Sequence, residues 1–113
     1  MKSDAYRLER ISAVGHQLLQ VIESRSITRD MLIRDFETQW LVTTPLYNIG
    51  EQANCLSPEF VEGHPGVPWV QIAGLRHRLV HDYEGTNWSM IAAVVFDELA
   101  SFIERVDGLL SSE

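Results

Sequence analysis

Apolar residues recur at three- and four-residue steps through nearly the whole chain, and this spacing constrains the fold more than any other feature. In the first segment, about 4 to 24, Leu8, Ile11, Val14, Leu18 and Val21 follow that rhythm, with Leu19 and Ile22 beside them. Such spacing puts one apolar stripe on a helix. The period-two alternation of a half-buried strand is absent, so the expected class is all-α. Thr28, followed by acidic Asp30, predicts the next helix start. From there to about Asn54, the residues Met31, Leu32, Phe36, Trp40, Leu41, Leu46, Ile49 and Ala53 make a second stripe. Pro45 lies inside it, has no N–H to donate and crowds the carbonyl four residues back, so a kink or break is expected over 43–45.

The second half reads in the same way. Ser57-Pro58-Glu59 is a cap followed by a first-turn proline, predicting a short helix. The run Gly63-His64-Pro65-Gly66-Val67-Pro68 predicts a loop. Pro68 can then open a helix to about Tyr83, with Gly85 as its stop. Asn87 caps a last helix to about Leu110, with Met90, Ala93, Val94, Leu99, Phe102, Ile103 and Val106 inward. The expected architecture is an antiparallel bundle of four main helices plus a short one, in a single domain over residues 1–113.

Composition narrows the function. The chain of 113 residues carries a net charge of -7, and eight of its nine basic residues are arginines, dispersed apart from Arg76 and Arg78. That balance disfavours a broad phosphate-tracking surface and leaves room only for a focused nucleic-acid site. No apolar run approaches the roughly 18 residues that span a bilayer, and the first residues lack the apolar stretch of a secretory signal, so a cytoplasmic location without a membrane is expected. Cys55 is the single cysteine and is expected to be a small buried residue. Trp40, Trp69 and Trp88 are expected as core or dimer anchors rather than base-stacking platforms, and His16 and His64 as structural or surface residues.

The chemistry concentrates in the helix expected from Pro68 to Tyr83. With Arg76 at zero on a wheel of about 100° per residue, Tyr83 falls about 20° to one side and Val80, His77 and His81 at about 40°, 100° and 140° on the other. Ile72, Leu75 and Leu79 cluster within about 60° of one another on the opposite side. One face therefore suits the core, while the other holds a guanidinium, two imidazoles and a phenol. Cleavage of RNA by its own 2′-hydroxyl needs a base, an acid and positive charge on the phosphorane. Imidazoles titrating near neutrality suit the first two tasks and a guanidinium fork the third. A bare helix surface has the same composition. His77 and His81 also have the spacing of a zinc pair, but no further ligand cluster accompanies them, so no metal or other cofactor is expected.

The same residues resemble the HEPN superfamily and, within it, the HepT-like ribonuclease toxins, whose signature is R-x-x-x-x-H-x-Y. It stands here as Arg76-His77-Arg78-Leu79-Val80-His81-Asp82-Tyr83. Ile49-Gly50-Glu51-Gln52-Ala53, Pro58-Glu59-Phe60, Val67-Pro68-Trp69 and Asn87-Trp88 resemble other elements of that family in the same order, over roughly residues 4 to 110. The resemblance implies a HEPN bundle that forms a homodimer or higher oligomer, and metal-independent endoribonuclease activity on an RNA substrate. It further implies neutralisation by a nucleotidyltransferase antitoxin able to attach AMP to the motif tyrosine. Carried over by position, Arg76 and His81 are the catalytic pair, His77 the polar motif residue, Tyr83 the AMPylation site, and Glu51 and Arg78 supporting candidates. Histidine stands at His77 where asparagine is frequent, and Thr44 and Pro45 fall in a stretch often read as one unbroken helix. The alternative is a catalytically silent HEPN module that only binds a nucleotidyltransferase.

Overall fold

The computed structural model describes residues 2–80 and 85–112, and no strand occurs among them. The helices are α1 (Asp4–Ser24), α2 (Arg29–Arg34), α3 (Phe36–Asn54), α4 (Pro58–Gly63), α5 (Trp69–Val80), α6 (Trp88–Ala93) and α7 (Leu99–Ser111), with a π-helical segment Val94–Glu98 between the last two. The all-α class read from the sequence is what the described residues adopt. Helix starts follow local chemistry. Ser3, Thr28, Asp35, Ser57 and Asn87 each accept a hydrogen bond from the amide three residues on, satisfying a donor the helix itself leaves over. Ser57 additionally donates its hydroxyl to Asp4 Oδ2 at 2.7 Å, while its amide donates to Oδ1 at 2.9 Å, tying the α3–α4 turn to the start of α1.

Two boundaries differ from expectation. The break in the second stripe falls at Asp35, not at 43–45. Asp35 adopts an extended backbone (φ -105°, ψ 117°), and its carboxylate accepts from both Thr38 N and Thr38 Oγ1, at 2.9 and 2.6 Å. Those two bonds hold the carboxyl below its ordinary pKa. Pro45 sits within continuous α3, and its ring lines a shallow cavity with Leu18, Val21 and Leu41. Proline forfeits one hydrogen bond there, and the rest of the long helix, packed on α1 and α5, carries it through. In the last rod, a π segment interrupts what periodicity reads as uniform helix. π turns insert one extra residue into the helical count and so re-phase the face that follows.

The Asp35 break also changes which residues of α3 point inward. Thr38, Val42, Leu46, Ile49, Gly50 and Ala53 are buried. Phe36 and Trp40 lie about 120–160° round the helix from Thr38 and Val42, so they face outward and are 57% and 63% exposed. Both were expected in the apolar stripe, as were Met31 and Leu41, which are also exposed. The core itself joins Leu8 and Ile11 of α1, Leu32, Leu46 and Ile49, Ile72 and Leu75 of α5, Ile91, and Phe102 and Ile103 of α7. Trp69 is buried, edge-on to Phe60 and Phe102, and its indole donates to the His64 carbonyl at 3.0 Å. It is the core anchor the sequence suggested. Cys55, by contrast, is exposed, because it caps the end of α3 instead of continuing its buried stripe.

Candidate functional site

The site is built where α3 and α5 cross, the most extensive helix pair among the described residues. A Cβ added to Gly50 would lie 2.8 Å from the Arg76 amide nitrogen, 3.1 Å from the Ile72 carbonyl and 3.3 Å from Arg76 Cβ. Only a residue without a side chain permits backbones this close. Gly50 thus sets the separation of the two helices at the level of Arg76, which a glycine inside a buried helical stripe hints at from sequence alone. Thr43, Thr44 and Trp40, earlier in α3, border a cavity with Leu79, later in α5. The helices therefore run antiparallel.

Next to Gly50, Glu51 Oε2 lies 3.2 Å from Arg76 Nε, with both side chains a little over one-third exposed. The Glu51 carboxylate also accepts from the Cys55 thiol at 3.6 Å. The contact is an ion pair, which keeps the guanidinium beside the carboxylate at the level of the crossing. The two residues meet because Gly50 brings α3 against the backbone of Arg76. Sequence reading placed Glu51 in second rank, and the structure makes it the direct partner of the leading catalytic candidate.

His77 is exposed on α5, about 100° round the helix from Arg76. Arg78 is about 200° from Arg76, and its Nη1 lies 3.3 Å from Met90 Sδ, on the α6 side. The structure does not bring Arg78 to the Glu51–Arg76 pair. His81 and Tyr83, expected as catalytic and modified residues, lie outside the described residues. Among the described residues no group of three or more His, Cys, Asp or Glu is placed to hold a metal ion, and no helix is long and apolar enough to cross a membrane.

A second polar cluster lies away from this site. Ser12 Oγ donates to Asp107 Oδ1 at 2.5 Å, and His16 Nε2 lies 2.7 Å from Asp107 Oδ2. The carboxylate sits between hydroxyl and imidazole, so the imidazole is not placed to take the serine proton, which a nucleophilic triad requires. The cluster instead fastens α1 to α7. His64 is likewise structural, with Nδ1 donating to the Phe60 carbonyl at 2.9 Å.

Comparison with known proteins finds relatives named as ribonucleases. The chain is 31% identical over 87 residues to a protein of Methanocaldococcus jannaschii named "Putative RNase", covering 77% of this chain and 72% of that one. It is 38% identical over 65 residues, 58% of each chain, to a "Putative RNase" of Caldanaerobacter subterraneus subsp. tengcongensis. It is 29% identical over 97 residues to the "Probable ribonuclease HepT" of Thermococcus cleftensis, covering 82% and 86% of the two chains. No solved structure matches. The family model described as "Ribonuclease HepT-like" matches residues 8–108, a span that takes in the α3–α5 crossing, the Glu51–Arg76 pair and the whole motif, and the chain belongs to that HepT-like ribonuclease family.

Proposed function

We propose that the chain is the toxin of a toxin–antitoxin pair, an endoribonuclease that cleaves RNA without a metal ion. The observation that carries this reading is the Glu51–Arg76 ion pair at the Gly50 crossing, because a guanidinium held at a defined place can stabilise the charge of phosphoryl transfer without a metal. In the proposed reaction, the RNA 2′-oxygen attacks the adjacent phosphorus, and an imidazole accepts the 2′-hydroxyl proton. The bond to the 5′-oxygen breaks, and that oxygen leaves with a proton from an imidazolium. The products are a 2′,3′-cyclic phosphate and a 5′-hydroxyl. Arg76 stabilises the charge on the non-bridging oxygens, His81 carries proton transfer, and His77 supports it. Glu51 is a positioning residue for Arg76, and Arg78 serves at most as an outlying phosphate contact.

The acidic net charge favours an arrangement in which two copies place their motif helices beside one cleft, doubling the positive charge facing one phosphate. A nucleotidyltransferase antitoxin attaching AMP to Tyr83 adds negative phosphate to the motif and opposes RNA entry. The test is to express and purify the chain alone and measure RNA cleavage in excess EDTA for wild type and His81→Ala. Intact mass is then recorded after co-expression with the antitoxin. The reading expects cleavage in EDTA, loss of it in His81→Ala by roughly 100-fold or more, and added AMP mass that Tyr83→Phe abolishes. Cleavage that requires an added metal, or full activity in His81→Ala, contradicts it. An inert chain that still binds the antitoxin would indicate the silent module.

A further inference from the structure

Glu51 is one end of a longer face. Phe36, Trp40, Thr43, Thr44, Tyr47 and Glu51 fall within about 100° of one another around α3. Moving from Glu51 back to Thr44 covers about 10 Å along the helix and leads from the Arg76 pair to a cavity of about 470 Å³. Its lining is Gln39, Trp40, Thr43 and Thr44 of α3, Leu79 near the end of α5, Thr86, and Trp88 at the start of α6. Leu79 stands in the motif helix one turn beyond Arg76, so the cavity opens at the level where the motif continues.

The chemistry of the lining is specific. Trp40 is 63% exposed and is braced edge-to-face by Phe36, ring centroids 4.9 Å apart. The indole is thereby held in place while its surface remains open to a ligand. Gln39 Nε2 donates to the Leu32 and Ile33 carbonyls, at 3.2 and 3.0 Å. Carbonyls only accept, so both amide protons are used and the side chain can offer a ligand only its oxygen. Thr43 Oγ1 donates its proton to the Gln39 carbonyl at 2.7 Å, so it too has only lone pairs to offer. Aromatic surfaces beside two side chains, Gln39 and Thr43, that can only accept suit a flat heterocycle carrying an amino group.

We propose that this cavity is a nucleobase subsite, taking the base of a nucleotide near the scissile phosphate and favouring adenine or cytosine over uracil. The inference rests on the ribonuclease reading for its substrate and deepens it by assigning base preference. Trp40 and Trp88 provide stacking surface, and Gln39 Oε1 and Thr43 Oγ1 accept from the exocyclic amino group. Uracil presents a carbonyl at the corresponding position, which would face those lone pairs. The volume suits one nucleotide and does not suit a folded partner segment.

The experiment separates binding from cleavage. The purified full chain is titrated with short 2′-O-methyl oligonucleotides, which cannot be cleaved, identical except for one adenine, cytosine or uracil. The indole N–H signals of Trp40 and Trp88 are followed by NMR, and the matching ribo-oligonucleotides are assayed for cleavage in parallel. The expected result is movement of both indole signals and roughly tenfold tighter binding of the adenine and cytosine strands than of the uracil strand. Trp40→Ala should weaken adenine binding by about tenfold. Thr43→Val, which keeps the shape and removes the acceptor, should erase most of the difference between the adenine or cytosine strands and the uracil strand. Equal binding of the three strands, or indole signals that stay still, overturns the subsite. So does a Trp40→Ala variant whose sole change is dissociation of a dimer. The binding arm gives its answer even if the ribo-oligonucleotides remain intact, an outcome that would count against the ribonuclease reading alone.

Discussion

Two pairs of helices in this bundle cross over a buried glycine, and the two glycines meet different atoms. At Gly15 of α1, a Cβ would lie 2.2 Å from Ile103 Cδ1 and 2.7 Å from Ile103 Cγ1, atoms of a side chain. At Gly50 of α3 it would meet the Arg76 amide nitrogen and the Ile72 carbonyl, atoms of the backbone. A side chain can turn to another rotamer at modest cost, whereas a helix backbone can only be pushed away whole. The α1–α7 crossing is therefore a packing contact whose disturbance registers as stability. The α3–α5 crossing is a spacing device whose disturbance moves Arg76. The surroundings agree. Ser12, His16 and Asp107 fasten the first crossing with hydrogen bonds, while the second carries the half-exposed Glu51–Arg76 pair.

Substitutions can break or sharpen that contrast. The largest expected effect is from Gly50→Ala. Separating α3 from α5 displaces Arg76, and a misplacement of about 1 Å costs on the order of 100-fold in rate. Single-turnover cleavage should fall by about that factor, with circular dichroism still showing a helical fold. Unchanged cleavage would mean that the crossing does not position Arg76. Gly15→Ala comes next. Overpacking costs about 1–3 kcal/mol, and alanine returns about 1 kcal/mol of helix propensity, leaving a net loss of about 1 kcal/mol by denaturant unfolding. Its cleavage rate, measured where the protein is fully folded, should match wild type. A rate loss as large as that of Gly50→Ala would erase the distinction between the two crossings.

Smaller effects follow. Glu51→Gln keeps shape and removes the charge paired with Arg76, so kcat should fall by about tenfold with little change in stability, since partly exposed pairs contribute little. If Glu51 were only a surface carboxylate, kcat would not move. The mildest effect concerns Asp107, whose pKa is lowered first by the Ser12 hydroxyl and further by His16, against the opposing effect of burial. A lowered folded-state pKa adds stability that is fully present above the unfolded carboxylate value, about 3.9, and is lost as pH falls through the lower folded value. Wild type should therefore lose its advantage over Asp107→Asn as unfolding is followed from pH 5 downward, about one unit above that carboxylate value. An advantage that grows on acidification would contradict the assignment.

The helices and their starts were legible because caps and periodicity are local. Thr28, Ser57 and Asn87 mark their helices from single side chains, and Leu8, Ile11, Ile72 and Phe102 fall in the core as their spacing requires. What was not legible depends on phase or on tertiary approach. Asp35 resembles an ordinary helix residue until its carboxylate is seen to bind Thr38, and its extended backbone rotates Phe36 and Trp40 out of the stripe. Pro45 signals a break by local rules, which the packing of a long helix overrides. For the site, the motif marked Arg76 and His77 correctly as polar-face residues. It did not indicate that Gly50 lies against the Arg76 backbone, or that Arg78 turns to Met90. The first belongs to the crossing of α3 and α5, distant in the chain, and the second to the packing of α5 beside α6.

The claim that Arg76, held at the α3–α5 crossing, is the centre of a ribonuclease working without a metal ion has one most direct test. It is single-turnover cleavage of RNA in excess EDTA by the purified chain, wild type beside Arg76→Ala. The account predicts cleavage by wild type and a loss of about 100-fold or more in the variant at unchanged helical content. Equal rates for the two proteins, or wild-type cleavage that appears only when a metal ion is restored, would contradict it.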